Sequence, residues 1–300
     1  MAFIDANKDR VTAGLRWGVE PICRVLQVAP STYYDAKSRP PSKRSVTDAE
    51  LKEEIRRVYK HNRSCYGAQK LWRQLQREGI ACGRDRVARL MRTLGICGVT
   101  RGKERPKTTV PAAEGRPEDL VKRNFSAGAP NRLWVADITY VATVVGFVYT
   151  AFVIDVFSRA IVGWAVSKSL TATVALDALE IAIWRRSGAV KGVVHHSDRG
   201  VQYLSIRYTE RLEEAGAAPS VGSRATSYDN ALAETVNGLY KTELIHRQAS
   251  WAGAGQVECA TAEWVAWWNE ARLHSAIGYV APAEYEAKAA RAQTAQAPAA

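Results

Sequence analysis

No two cysteines of this chain form a CxxC pair. The five, Cys23, Cys65, Cys82, Cys97 and Cys259, are scattered and odd in number, which argues against a disulfide framework and a cysteine-built zinc site and predicts a reducing compartment. Long apolar runs are missing too. The most apolar stretch, GFVYTAFVIDVF, is broken by Asp155, well short of the ~18 residues of a membrane span. The amino-terminal MAFIDANKDR lacks an apolar leader core, so a soluble protein of the cytoplasm with no membrane partner is expected. No internal repeat is visible, and no heptad run that would build a coiled coil.

Excess positive charge is absent from the second part of the chain and concentrated in the first. Residues 1–128 carry 27 Lys or Arg against 14 Asp or Glu, whereas 129–300 carry 15 against 16. A basic module followed by a near-neutral one suits a polyanion-binding region joined to a catalytic or structural domain, because Lys and Arg gain affinity by releasing counterions from phosphates. A merely soluble basic surface satisfies the same count.

Along the basic part, VEPICRVLQVAPSTYYDAKSRP reads as a short amphipathic helix, a turn at Ala29-Pro30 and a second helix capped by Ser31, a helix-turn-helix-like segment over 1–45. A second such region is expected over 46–106. Leu51, Ile55 and Val58 recur at helical spacing, YGAQKLWRQLQREG places Leu71, Trp72 and Leu75 on one face, and RDRVARLMRTLGI turns Val87, Leu90, Met91 and Leu94 inward. Arg84, Arg86 and Arg89 then face outward as candidate DNA contacts, with Arg92 beside them. A helical hairpin with a solvated charged face fits this pattern equally well. Residues 107–128, rich in Pro, Gly and charge, read as a linker.

From Leu133 the texture becomes β: LWVADITYVAT, GFVYTAFVIDVFSR and AIVGWAVSKS form an antiparallel meander. Helix and strand then alternate through TATVALDALEIAIWRRSG, GVVHHSD, SIRYTERLEEAG and APSVGS to a long helix starting near Asp229. The expectation is an α/β fold, a mixed sheet flanked by helices and preceded by an all-α region. Beyond Gln256 another helix carries Trp264, Trp267 and Trp268 as a packing stripe within a helical extension over 249–288, and an Ala-rich tail, 289–300, reads as frayed or disordered.

Three acids stand out. Asp137 interrupts a strand, where a buried charge must be paired or bind a cation. Asp198 ends the next major strand in VVHHSDRGVQY. Glu234 shares a helix face with Asn230 and Lys241 in SYDNALAETVNGLYKTEL. Singly, each has an ordinary reading as strand end, turn former or helix-surface acid. Converging, they make an oxygen cage suited to Mg²⁺ or Mn²⁺ and to two-metal phosphoryl transfer.

Sixty residues separate Asp137 from Asp198 and 35 separate Asp198 from Glu234, with Lys241 seven further on. This pattern resembles the D,D-35-E signature of retroviral-integrase-like insertion-sequence transposases, and LWVADITYV, VHHSDRGVQY and WWNEARLHSAIGYVAPAEYE resemble that family's blocks. The resemblance implies a ribonuclease-H-like, integrase-type catalytic core over 129–248, with Asp137, Asp198 and Glu234 as catalytic residues and ligands of two Mg²⁺ or Mn²⁺ ions. It implies Lys241 at the DNA end near the scissile phosphate, with Asn230, His196 and Arg199 as further DNA contacts. His195 and His196 alternate along their strand, so that one faces the core and one the groove. Ala225-Thr226 stands where many relatives carry Gly-Asp, and the His-His-Cys-Cys zinc module of retroviral integrases is missing. The implied partners are element and target DNA, further copies of the chain on that DNA, and an upstream helix-turn-helix and leucine-zipper product joined by frameshifting, all in a bacterial cytoplasm and nucleoid. A ribonuclease-H-type nuclease and a non-catalytic DNA-binding regulator from a decayed element stand as alternatives.

Overall fold

The structure is a computed structural model that describes residues 1–100, 121, 125–187, 190–198, 202–203, 205–221 and 230–296. Two compact units divide it, Met1–Glu54 and Ile55–Ala300.

In the first unit, α1 (Ala2–Asn7), the two-stranded ribbon β1 (Val11–Thr12) and β2 (Leu15–Arg16), α2 (Val19–Val25) and α3 (Pro30–Ser38) enclose a small core of Ile4, Ile22, Cys23 and Tyr33. The helix pair α2 and α3 lies where the helix-turn-helix pattern puts it. Its cap differs from expectation. Ala29 is the N-cap and Pro30 the first helical residue, because proline's fixed φ and missing N–H suit the first turn; Ser31 lies inside the helix. The unit boundary also falls later than residue 45. The polar stretch up to Ser45 gives way at Lys43 to α4 (Lys43–His61), which contains no Gly or Pro to end it there.

The second unit takes in the end of α4 from Ile55 and continues with α5 (Ala68–Arg77) and α6 (Arg84–Thr93), which fully bury Leu71, Leu75, Val87 and Leu90. Gly79, at φ +79°, turns the chain after α5, and Trp72 Nε1 donates to the Cys82 carbonyl at 2.8 Å, fixing the connection. Of the expected linker, only 121 and 125–128 are described; the rest lies outside the described residues.

A five-stranded sheet follows, in spatial order β5-β4-β3-β6-β7. The strands are β3 (Leu133–Thr143), β4 (Gly146–Asp155), β5 (Ile161–Ser167), β6 (Val194–Ser197) and β7 (Ala218–Val221). The first three form the meander, and β6 and β7 add in parallel on the far side of β3. Alternation along β3 sends Trp134 and Ala136 to one face and Val135 and Asp137 to the other. On the first face lie α7 (Ala172–Arg185) and α8 (Ile206–Glu214), packed on Trp134, Ala136, Val153 and Val162. Gly163 permits this approach: a methyl there would stand 2.0 Å from the Ala178 carbonyl oxygen.

The opposite face is covered by α9 (Ala231–Glu243) and α10 (Ala254–Glu270). Phe152, cross-strand from Asp137, meets the Tyr240 ring at 5.1 Å and Trp264 at 6.0 Å. Trp264, Trp267 and Trp268 are all buried, so the tryptophan stripe is core. Consequently α10 packs as part of the helical layer on this face of the sheet, and residue 248 marks no structural break. The last helix, α11 (Pro282–Gln296), corrects the tail: a helix continues through 289–296, as a run rich in Ala, Glu, Lys, Arg and Gln favours, and 297–300 lie outside the described residues.

Candidate active site

The parallel ladder between β3 and β6 ends at the pair Ala136↔Ser197. One residue further on each strand are Asp137 and Asp198, so register alone sets the two carboxylates side by side at the carboxyl end of the ladder. Both are partly exposed. This is the usual place for a site in an α/β sheet, where strand ends leave a crevice.

The third acid arrives on α9. Residues 230, 234, 237 and 241 lie at offsets of 0, 4, 7 and 11 and share one helix face. Three of the four side chains have described partners along β3. Asn230 Nδ2 donates to the Ala136 carbonyl at 2.8 Å, Asn237 Nδ2 donates to Asp137 Oδ2 at 2.8 Å, and Lys241 Nζ lies 4.2 Å from the centre of the Tyr140 ring. Glu234, partly exposed, sits between the two asparagines. Asp137 Oδ1 accepts a second hydrogen bond from the Ile138 amide at 2.9 Å.

Burial pushes the Asp137 carboxyl up to about 8, with the neighbouring Asp198 charge and, more weakly, Glu234 acting in the same direction against the two hydrogen bonds. All three acids therefore interact electrostatically. Lys241 is half-buried, which lowers its pKa, and the Asp137 charge opposes that shift. Among the described residues, no three His, Cys, Asp or Glu side chains lie close enough to enclose one ion. The donor set nevertheless fits a hard divalent cation: oxygen ligands only, excess negative charge, and a carboxyl driven towards protonation when nothing else neutralises it.

The residues expected at the DNA fall in different places. His196 is fully buried rather than facing phosphate, with Nδ1 2.9 Å from Ser220 Oγ and its ring 6.0 Å from Phe125. His195 is buried as well, its Nε2 3.0 Å from the Tyr208 hydroxyl, and burial lowers its pKa to about 4. The alternation argument fails because β6 is a central strand covered on both faces. Asn230 is buried and ties α9 to β3, which makes it a positioning residue in place of a DNA contact. Arg199 and the Ala225-Thr226 departure lie outside the described residues. On α6, Arg84 is exposed and pairs with Asp85 at 2.7 Å, while Arg86 and Arg89 are partly buried. Asn237 was missed. Its signal was present in the sequence, three residues after Glu234 and four before Lys241 on the same face.

Comparison with known proteins identifies the family. Family models described as "Integrase core domain" match residues 127–227 and 215–282, and one described as "HTH-like domain" matches 47–104. The chain is 54% identical over 266 residues to a putative transposase for insertion sequence element IS986/IS6110 of Mycobacterium tuberculosis, covering 87% of this chain and 96% of the relative. The chain belongs to the insertion-sequence transposases. Within that family it is also 51% identical to the transposase for insertion sequence element IS629 of Shigella sonnei, over 90% of this chain and 92% of that one. The HTLV-2 integrase catalytic core domain in complex with magnesium overlaps 53% of this chain and 98% of its own, with TM-score 0.41 and 17% identity. The family matches explain two features of the fold. The integrase-core match continues to 282, in keeping with the packing of α10 on the sheet, and the HTH-like match covers α5 and α6 together.

Proposed function

We propose that this transposase cuts and joins insertion-sequence DNA by divalent-metal-dependent phosphoryl transfer, with Asp137, Asp198 and Glu234 as ligands of two Mg²⁺ or Mn²⁺ ions. The observation that carries this reading is the register Ala136↔Ser197, which makes neighbours of two acids with 60 residues between them in sequence. When bound, the ions activate the attacking oxygen and stabilise the leaving one. In the first reaction a water oxygen attacks phosphorus at the element end, the bond from phosphorus to the 3′ oxygen breaks, and a 3′-hydroxyl is freed. In the second, that hydroxyl attacks a target phosphodiester and a target 3′ oxygen leaves. The total number of phosphodiester bonds is conserved in the joining step.

The chain's own groups supply orientation. Asn237 and the Ile138 amide hold both oxygens of Asp137 in place, and Asn230 fixes the start of α9 so that Glu234 is presented to the strand ends. Lys241, resting over Tyr140, is the cation placed to meet a phosphate of the DNA end. The relatives favour this reading over a ribonuclease-H-type nuclease or a decayed regulator, since named transposases match nearly the whole chain. Assembly with further copies, and with an upstream helix-turn-helix and leucine-zipper product, belongs to the same reading and is supported by the family resemblance.

The test uses purified protein and duplexes carrying the element's terminal inverted repeats. Cleavage and joining should require Mg²⁺ or Mn²⁺ and stop with chelator. Asp198→Asn should abolish both while leaving duplex affinity within a few-fold, because it removes a metal ligand and no phosphate contact. Undiminished strand transfer by that variant would sink the assignment.

DNA capture is assigned to the basic residues 1–128. On α6, changing Arg86 and Arg89 to Ala together should weaken duplex binding about equally across sequences and lower the salt slope by about 2, roughly one unit for each arginine withdrawn from a phosphate. An unchanged slope in salt-dependent anisotropy titrations would remove α6 from the interface.

A further inference from the structure

Tyr203 stands five residues beyond Asp198 and is 4% exposed. Its ring belongs to the apolar cluster of Trp134, Ala136 and Val193, and it meets the Tyr208 ring edge-on at 5.4 Å. The two tyrosines differ in one respect. The Tyr208 hydroxyl is satisfied by His195 at 3.0 Å, while the Tyr203 hydroxyl has no hydrogen-bond partner among the described residues. A buried hydroxyl without a partner costs stability that phenylalanine would not. Packing alone does not account for it.

The surroundings say what the hydroxyl is for. Ala136, against which the ring's cluster is built, immediately precedes Asp137. After burial, and beside the Tyr208 ring, the charges that raise the Tyr203 pKa are those of Asp137 and Asp198, so both carboxylates act on the phenol although neither is hydrogen-bonded to it. A buried donor that feels both carboxylates yet is bonded to neither is one that a bridging oxygen can satisfy. Two more orphaned atoms flank the same acids: Oδ1 of Asn230 and Oδ1 of Asn237 are buried without partners, while the Nδ2 atoms of those side chains bind Ala136 and Asp137. Among the described residues seven buried polar atoms lack a partner, and the one on Asn237 belongs to a side chain bonded directly to Asp137, so an open acceptor as well as an open donor stands beside the acids.

We propose that Tyr203 is a positioning residue of the acidic site, its hydroxyl bonded in the metal-loaded enzyme to a water or phosphoryl oxygen lying between it and Asp137 and Asp198. The hydroxyl fixes that oxygen's direction and, through it, the geometry of the ion the carboxylates hold. Such outer partners tune metal affinity about 10- to 100-fold. The inference rests on the reading of these acids as the metal site.

Tyr203→Phe, which removes only the hydroxyl, tests it in the full chain by two measurements that need no DNA. Thermal unfolding without metal should show a melting temperature equal to or above that of the wild type. Calorimetric titration with Mn²⁺ should show affinity lowered about 10- to 100-fold. Unchanged Mn²⁺ affinity overturns the proposal, and so does a lower metal-free melting temperature, which would mean that the hydroxyl has a structural bond. Asp198→Asn run alongside separates the two levels. If it binds Mn²⁺ like the wild type, the metal-site reading itself falls; if it loses binding while Tyr203→Phe keeps it, only the role of Tyr203 is wrong.

Discussion

Asp137→Asn protein, free of divalent metal, should be more stable than the wild type at pH 8, and the difference should close towards pH 4. The wild-type carboxyl is held at about 8 in the folded state against an ordinary 3.8, so between those values the folded chain binds a proton that the unfolded chain has lost. Stability from this group is complete below about pH 4 and drains away as pH rises through 8. Asparagine has no such dependence. Each tenfold change in proton affinity is worth about 1.4 kcal/mol, and because part of the rise comes from the charges of Asp198 and Glu234 the expected gain is about 3 kcal/mol. The replacement is tolerated locally. The Ile138 amide keeps an oxygen to bind, and Asn237 turns its carboxamide so that its unpartnered Oδ1 accepts from the new amide. Mg²⁺ or Mn²⁺ should restore wild-type stability by neutralising the acids and should do little for the variant. Joining of DNA ends should fall by about a thousand-fold or more, since a residue that acts as part of a unit takes the unit's effect with it. Parallel stability curves for the two proteins between pH 4 and 8, or joining by the variant reduced less than about ten-fold, would contradict this account.

The elements and the acids were legible in the sequence for different reasons. The meander could be read because β3, β4 and β5 alternate and are rich in aromatic and β-branched residues. The acids could be read because an aspartate inside LWVADITYV has no comfortable place in a sheet. What the sequence withheld is the partner of each polar group. Nothing in VVHHSD says that β6 lies between β3 and β7 with both faces covered, so the burial of His195 and His196 could not be foreseen. Asn230 and Asn237 share the Glu234 face by their spacing, but their hydrogen bonds to β3 become visible only when β3 is laid against that face. The first unit's β-ribbon escaped because two residues per strand leave no periodicity to detect. The tail escaped in the opposite direction: an alanine-rich terminus reads as weak, yet α11 is held at its start by Glu286, which bonds Arg186 through two contacts of 2.7 and 2.8 Å and Ser158 at 2.5 Å.

Arg272→Met should destabilise the protein by about 3–5 kcal/mol, a large part of the 5–15 kcal/mol typical of a folded chain. Glu243 is the last residue of α9 and Arg272 follows α10; they are 6% and 4% exposed, and the guanidinium meets the carboxylate side-on, Nε to Oε2 at 2.9 Å and Nη2 to Oε1 at 2.6 Å. The Trp268 ring lies 4.5 Å beneath the guanidinium. Methionine keeps much of that packing but leaves a buried carboxylate with no cation bonded to it, and an unpaired buried charge costs more than the pair contributes. Lys70 is no substitute. Burial lowers its pKa to about 8, with Arg272 acting in the same direction, and no hydrogen bond joins it to Glu243 among the described contacts. The consequence reaches the active site, because the pair clamps the carboxyl end of the helix whose other end presents Glu234. Pairing Arg272→Met with Glu243→Met should recover most of the lost stability, since two apolar side chains leave no orphaned charge. Urea unfolding of the two single variants and the double variant decides the matter. A loss under 1 kcal/mol for Arg272→Met, or a double variant less stable than either single one, would mean that the ion pair does not hold α9 in place.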